Sequence, residues 1–209
     1  MTETASPAPS LRETLAAATR SQVVEAAAGL FAERGYVGTS IGAIARRAGV
    51  AVQTIYNAVG NKAAVLSAVL DAAASGPNAP TPVPLFMAER TREASDTAAL
   101  LDVLADWFVE VHERTASIQG IIRQAAAVDA DAAELERVRA RQRLQNYGLA
   151  AAALRERGGL RAGMTDEQAA AAIWALGHPS AYRSLVLDEG WSVEAYRAWL
   201  RGTLTAALG

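Results

Sequence analysis

Gln53, Thr54, Tyr56, Asn57 and Lys62 are the residues of this chain whose types and spacing best suit a specific chemistry, and that chemistry is the reading of base edges and phosphates. If 52–59 is a helix lying in a major groove, its solvent-facing Gln53, Thr54 and Asn57 can reach base edges or phosphates, and Gln and Asn can each make a bidentate pair with adenine. Val52 can touch a thymine methyl. Tyr56 offers a rigid ring whose hydroxyl can donate to a phosphate oxygen. Lys62 opens the following helix, so its ammonium and the free N–H groups of that first turn converge on one phosphate. Thr39 and Ser40 stand in the same relation to a helix beginning at Ile41, and Arg20 and Arg47 are further candidates for the nucleic-acid backbone. A blander reading stands beside each: Tyr56 a core aromatic, Thr39 and Ser40 plain helix caps, Arg46 and Arg47 a solvated pair.

Other chemistries lack their residues. The chain has no cysteine, which excludes disulfides, thiol nucleophiles, thiolate zinc and iron–sulfur clusters, and two histidines, His112 and His178, are too few for a His-rich metal site. Asp102, Asp106, Glu110 and Glu113 fall on one acidic helix face, and no Gly-rich phosphate loop is present, so neither an enzyme nor a cofactor or metal is expected. The N-terminal stretch lacks the apolar segment of a signal peptide and no long apolar run follows, so a cytoplasmic protein without membrane contact is expected.

The candidates need helices to position them. Alanine makes up 49 of 209 residues and aromatics only 6%, which favours helix over strand and predicts an all-α fold. Of 20 basic residues only Lys62 is a lysine; the Arg and Ala excess fits GC-rich coding. Apolar periodicity predicts helices over 20–34, 41–48, 52–59, 62–75, 85–94, 97–116, 118–127, 131–157, 166–188 and 192–207. Residues 1–18, with Pro7 and Pro9, are expected to form a flexible arm. A first domain over 19–76 then ends in the linking helix 62–75, a Pro-rich linker covers 77–84, and a second domain covers 85–209. Within 41–59 a short helix, a tight turn at Gly49 and a second short helix have helix-turn-helix spacing, with Ala45, Val50 and Ile55 placed to pack the two together. Further on, Glu134 with Arg137 and Glu136 with Arg139 read as a salt-bridged, solvated face, and His178 before Pro179 as a kink.

From Arg20 to Val69 the order of residues resembles the N-terminal domain of the TetR family of bacterial transcriptional regulators. The resemblance is carried by Val23-Val24, Ala26-Ala27, Leu30-Phe31, Gly35-Tyr36, Thr39-Ser40-Ile41, Ile44-Ala45, Ala48-Gly49-Val50, Thr54-Ile55-Tyr56, Asn61-Lys62 and Val65-Leu66. It implies a three-helix helix-turn-helix DNA-binding domain followed by a helical ligand-binding and dimerisation bundle, about nine or ten helices in all. It also implies that Tyr56 donates to a phosphate. In the second domain it implies a pocket for which Phe86, Trp107, Phe108, Val111, His112, Ile122, Arg123, Tyr147 and Trp174 are candidates, although aromatics at helical spacing also fit plain core. The last two helices, bearing Tyr182, Leu185, Trp191, Tyr196, Trp199 and Leu204, are implied to pair with their counterparts in a homodimer. Dimerisation has a separate motive, since two recognition helices about 34–36 Å apart across a dyad read a palindrome. The sequence departs from the family in having Ala51 where a small hydroxyl residue caps the recognition helix, and Ala58 and Val59 where an aromatic pair follows the tyrosine.

The expected function is therefore a homodimeric, sequence-specific transcriptional regulator, a repressor released from a palindromic operator in double-stranded DNA by a small-molecule effector. The alternative is a helical ligand- or partner-binding module with degenerate DNA recognition.

Overall fold

The computed structural model describes residues 10–79 and 81–209, which are helices and their connections with no strand among them. They form two compact units that divide between Val69 and Leu70.

The first unit is built from α1 (Leu11–Arg34), α2 (Ile41–Ala48), α3 (Val52–Ala58) and the opening turns of α4 (Lys62–Ser75). Val23, Ala27, Leu30 and Phe31 put one stripe of α1 inward, where it meets Ile44 of α2 and Ile55 of α3; all are almost completely buried. Each large aliphatic or aromatic side chain so buried contributes about 1.5–3 kcal/mol. Although composition marks 1–18 as an arm, α1 begins at Leu11, and residues 1–9 lie outside the described residues. A capping box starts it: the Ser10 hydroxyl accepts from the Glu13 N–H, and the Glu13 carboxylate accepts from the Ser10 N–H at 2.7 Å.

The second unit holds α5 (Val83–Glu93), α6 (Thr97–Ala126), α7 (Ala130–Glu156), α8 (Asp166–Leu176), α9 (Pro179–Tyr182) and α10 (Val193–Leu208). α6 packs against α7 and α10, and α7 against α8, around Leu100, Leu104, Phe108, Leu154, Ile173, Tyr196, Leu200 and Leu204. Two predicted helices, 97–116 and 118–127, are one. Ser117, the residue between them, is exposed and helical, and one half-turn earlier the buried Thr115 donates its hydroxyl to the Val111 carbonyl at 2.6 Å, so the helix runs through. The predicted helix 166–188 is instead three segments: α8 stops at Gly177, His178 caps α9 by accepting from the Ser180 N–H, and α9 runs into a π-helical turn over 183–188.

Arginines from elsewhere in the chain close three helix ends whose last carbonyls lack a helical partner. Arg20 donates to the Ala58 carbonyl at the end of α3, at 2.9 Å. Arg114 donates to Ala73 and Ala74 at the end of α4, at 3.2 and 2.9 Å. Arg157 donates to Thr91 and Ala94 at the end of α5, at 3.0 and 3.1 Å. Asp71 of α4 also pairs with Arg139 of α7. The last turns of α4 thus belong to the second unit, which is why the division falls inside a helix and not near 76.

Candidate functional site

α2 and α3 meet at Gly49, which adopts left-handed backbone, φ 67° and ψ 29°. The Val50 N–H donates to the Ala45 carbonyl at 3.1 Å and the Gly49 N–H to Arg46 at 3.4 Å, closing α2 with a Schellman motif. Any other L-residue at 49 costs about 1–2 kcal/mol in that conformation. With Ala45 and Ile55 buried inside the angle, the exposed face of α3 has a fixed direction.

That face carries Val52, Gln53, Tyr56 and Asn57. Val52 is 44% and Tyr56 48% exposed, an aliphatic and an aromatic group left bare on a short polar helix. The Gln53 amide donates to the Asn57 side-chain oxygen at 3.0 Å, so the two base-reading amides lie together. Thr54 is half-buried between them and the core. Ala51, at the N-cap, supplies no side-chain acceptor. Ser40 is exposed and caps α2 by accepting from the Ala43 N–H at 3.1 Å, which leaves its own proton available. Next to the loop from α3, the Asn61 side chain caps α4 by accepting from Ala64, and the Lys62 ammonium lies 4.0 Å from the centre of the Tyr36 ring.

Three expected backbone contacts are placed otherwise. Thr39 is 1% exposed, with its hydroxyl 2.8 Å from the Gly35 carbonyl and 3.1 Å from that of Leu30, so its proton ties the α1–α2 connection and has none to spare for a phosphate. Arg20 holds the end of α3, as described above. Arg47 crosses α1 at Gly29, where a Cβ would come within 2.9 Å of the guanidinium, and pairs with Glu33 at 2.8 Å. Its neighbour Arg46 is exposed and has no ion-pair partner among the described residues, which makes it the better phosphate candidate. No local pattern separates the two arginines, because the acid that takes Arg47 lies on another helix.

The pocket candidates of the second unit also divide. Phe86, Trp107, Phe108 and Ile122 are buried, Val111 is packed against the same core, and Phe86 meets Trp107 edge-on at 5.4 Å. Tyr147 tilts against Phe108 at 5.6 Å, and burial pushes its hydroxyl up to about 12. Trp174 meets His178 edge-on at 5.5 Å, and its indole N–H is buried without an acceptor among the described residues. His112 and Arg123 alone of these share a cleft, which Gln119, Tyr182, Arg183 and Leu187 also line. It admits water but not a drug-sized molecule. His112 is buried with Nε2–H donating to the Gly177 carbonyl at 3.0 Å, and burial takes its pKa down to about 4, so the ring is a neutral donor near pH 7. Gly177 is held to glycine by Phe108, whose ring would lie 2.0 Å from a Cβ there.

Of the residues expected at a dimer interface, Tyr182, Tyr196 and Leu204 are core, with Tyr182 and Tyr196 edge-on at 5.2 Å. Leu185 and Trp199 are half-buried against that core, while Leu187 and Trp191 remain exposed, Trp191 at 39%. The acidic face of α6 is taken up by arginines: Asp102 by Arg201, Asp106 by Arg197, and Glu110 by Arg90 at 3.0 Å. Glu136 and Arg139 do not pair as spacing suggested; Arg139 goes to Asp71, whereas Glu134 takes Arg137 as expected and Arg141 as well. No group of described residues could hold a metal ion, and no helix among them is long and apolar enough to cross a membrane.

Residues 23–69 match the family model described as bacterial regulatory proteins, tetR family. No curated protein matches the chain significantly. Among solved structures, NalD, the secondary repressor of the MexAB-OprM multidrug efflux pump in Pseudomonas aeruginosa, is 23% identical, with 92% of this chain and 98% of that one covered at a TM-score of 0.68. GusR of Salmonella enterica is 20% identical over 91% and 95% of the two chains, TM-score 0.68. SmeT, in a complex with triclosan, is 24% identical over 92% of each, TM-score 0.61. At these identities the likeness is one of fold, and it extends through both units.

Proposed function

We propose that the chain, whose residues 23–69 match the family model described as bacterial regulatory proteins, tetR family, is a homodimeric transcriptional repressor that binds a palindromic operator and leaves it when a small molecule occupies the second unit. The observation that carries this reading is the bare face of α3, where Val52, Gln53, Tyr56 and Asn57 stand out on a helix locked from behind by Ile55, Gly49 and Arg20. Gln53 and Asn57 read adenines, Val52 a thymine methyl, while Tyr56, Ser40, Arg46 and Lys62 hold phosphates. The half-bare strip of Leu185, Leu187, Trp191 and Trp199 faces a second copy, and the dyad so created spaces two recognition helices for two half-sites. Repression by NalD and the triclosan complex of SmeT are facts about those proteins that make the effector reading the natural one for this fold. Release requires an effector with higher affinity for the conformation that does not fit the operator.

Fluorescence anisotropy of the whole chain against DNA flanking its own gene, titrated at several salt concentrations with random competitor, tests the proposal. Tight, saturable binding to one fragment by a whole number of dimers is expected. Tyr56→Phe combined with Lys62→Ala should weaken it and lower the salt slope by about one for the lost lysine contact. Uniformly weak binding to every fragment of the genome, without a preferred site, would favour a degenerate recognition helix instead.

A further inference from the structure

Gln53 and Asn57 stand four residues apart on α3, one turn of the helix along the same exposed face, and they are joined: the Gln53 Nε2 donates to the Asn57 Oδ1 at 3.0 Å. Neither side-chain amide makes a second hydrogen bond among the described residues. Ile55, buried behind the face, and Arg20, on the Ala58 carbonyl, keep α3 from turning, so the pair points in one direction.

An amide pair at this spacing adds little to the stability of a helix. Its consequence lies in what each side chain has left. A primary amide carries two N–H donors and one oxygen with two lone pairs. The tie takes one N–H of Gln53 and leaves its oxygen and second N–H, the acceptor and donor that the N6 amino group and N7 of adenine require. It turns the Asn57 oxygen toward Gln53 and leaves two N–H donors, which suit an acceptor such as the N7 that adenine and guanine share. The tie also decides which way round Gln53 faces. A glutamine without one presents its oxygen and nitrogen in either order and must be ordered on binding, whereas here the ordering precedes contact with DNA.

We propose that Gln53 and Asn57 read the operator as one unit, in which Asn57 is the positioning residue. Its oxygen fixes the Gln53 amide in the orientation that selects adenine, and its own N–H groups donate to the N7 of a neighbouring purine. Recognition is therefore strict at the base pair of Gln53 and tolerant of either purine at that of Asn57. This rests on the regulator reading, since it states how the face of α3 discriminates between sequences.

In the test, the whole chain selects binding sites from a random duplex pool, and the parent, Gln53→Ala, Asn57→Ala and Asn57→Asp are then titrated against every single-base change of the selected site. The base pair whose preference Gln53→Ala erases is the one that Gln53 reads. Asn57→Ala should lower the adenine preference at that same base pair about tenfold, although residue 57 does not touch it. Asn57→Asp should restore the preference there, because its carboxylate still accepts the Gln53 N–H, while its charge weakens binding to all sequences alike. Both side chains are exposed, so the melting curves of the variants should overlay that of the parent. The proposal falls if Asn57→Ala leaves the adenine preference intact, or if Asn57→Asp loses it as fully as the alanine variant does. Either result would leave two independent readers on a working regulator. A parent that selects no site at all refutes the regulator reading itself, and the proposal with it.

Discussion

Tyr56 and Thr39 bring the same functional group into the first unit and end in opposite situations. The tyrosine hydroxyl is at the surface of α3, and that of threonine is consumed by the carbonyls of Leu30 and Gly35. Thr39→Val should therefore lower stability by about 1–2 kcal/mol while leaving the salt dependence of DNA binding unchanged. Tyr56→Phe should leave the melting curve unchanged and weaken operator binding through loss of an uncharged donor, with the salt slope unaltered, and paired melting and anisotropy curves distinguish the two. Sequence placed both at the interface because a cap, a buried tie and a phosphate contact call for the same residue type. His112 is a third case: its burial was not legible, since the partner that fixes it is a backbone carbonyl, Gly177, far along the chain. Its folded pKa of about 4 lies below the ordinary value near 6.5, so between those pH values the unfolded chain takes up a proton that the native one refuses. Stability should be complete above about pH 6.5 and fall by up to about 3 kcal/mol as pH drops through 4. Burial shifts His178 in the same direction. Melting His112→Asn alongside the parent from pH 7.5 to 4 should show a flatter profile for the variant.

The elements were legible where a local signal is decisive. α2, its Gly49 turn and α4 stand where periodicity and capping put them. The start of α1 was missed although Ser10 and Glu13 spell a capping box, because Pro7 and Pro9 just before it weigh toward an arm. The missing cap of α3 was legible outright in Ala51, and Ala51→Ser should stabilise the protein by about 0.5–1 kcal/mol in thermal or urea melts. Hidden from any local reading were the arginines that close α3, α4 and α5, since each acts across a long stretch of chain. An excess of arginine that looks like coding bias thus supplies three helix terminations. Arg157→Met, which keeps the apolar stem and removes four donated hydrogen bonds, should cost about 1–3 kcal/mol.

For the molecule as a whole, the all-α class follows from alanine content and apolar periodicity. What spacing cannot separate is burial within one chain from burial between two, and so Tyr182, Tyr196 and Leu204 turned out to be core. The distinction gives a clean experiment. Leu187→Glu combined with Trp191→Asp should convert dimers to monomers in sedimentation and weaken operator binding, with Tm then independent of protein concentration. Tyr196→Ala should instead unfold the second unit. The first unit has its own singularity: the chain's one lysine sits at the head of α4 with its ammonium over Tyr36. Any reagent or enzyme that acylates lysine side chains therefore has a single address on this protein, and one acyl group there would cancel the charge and the ring contact together.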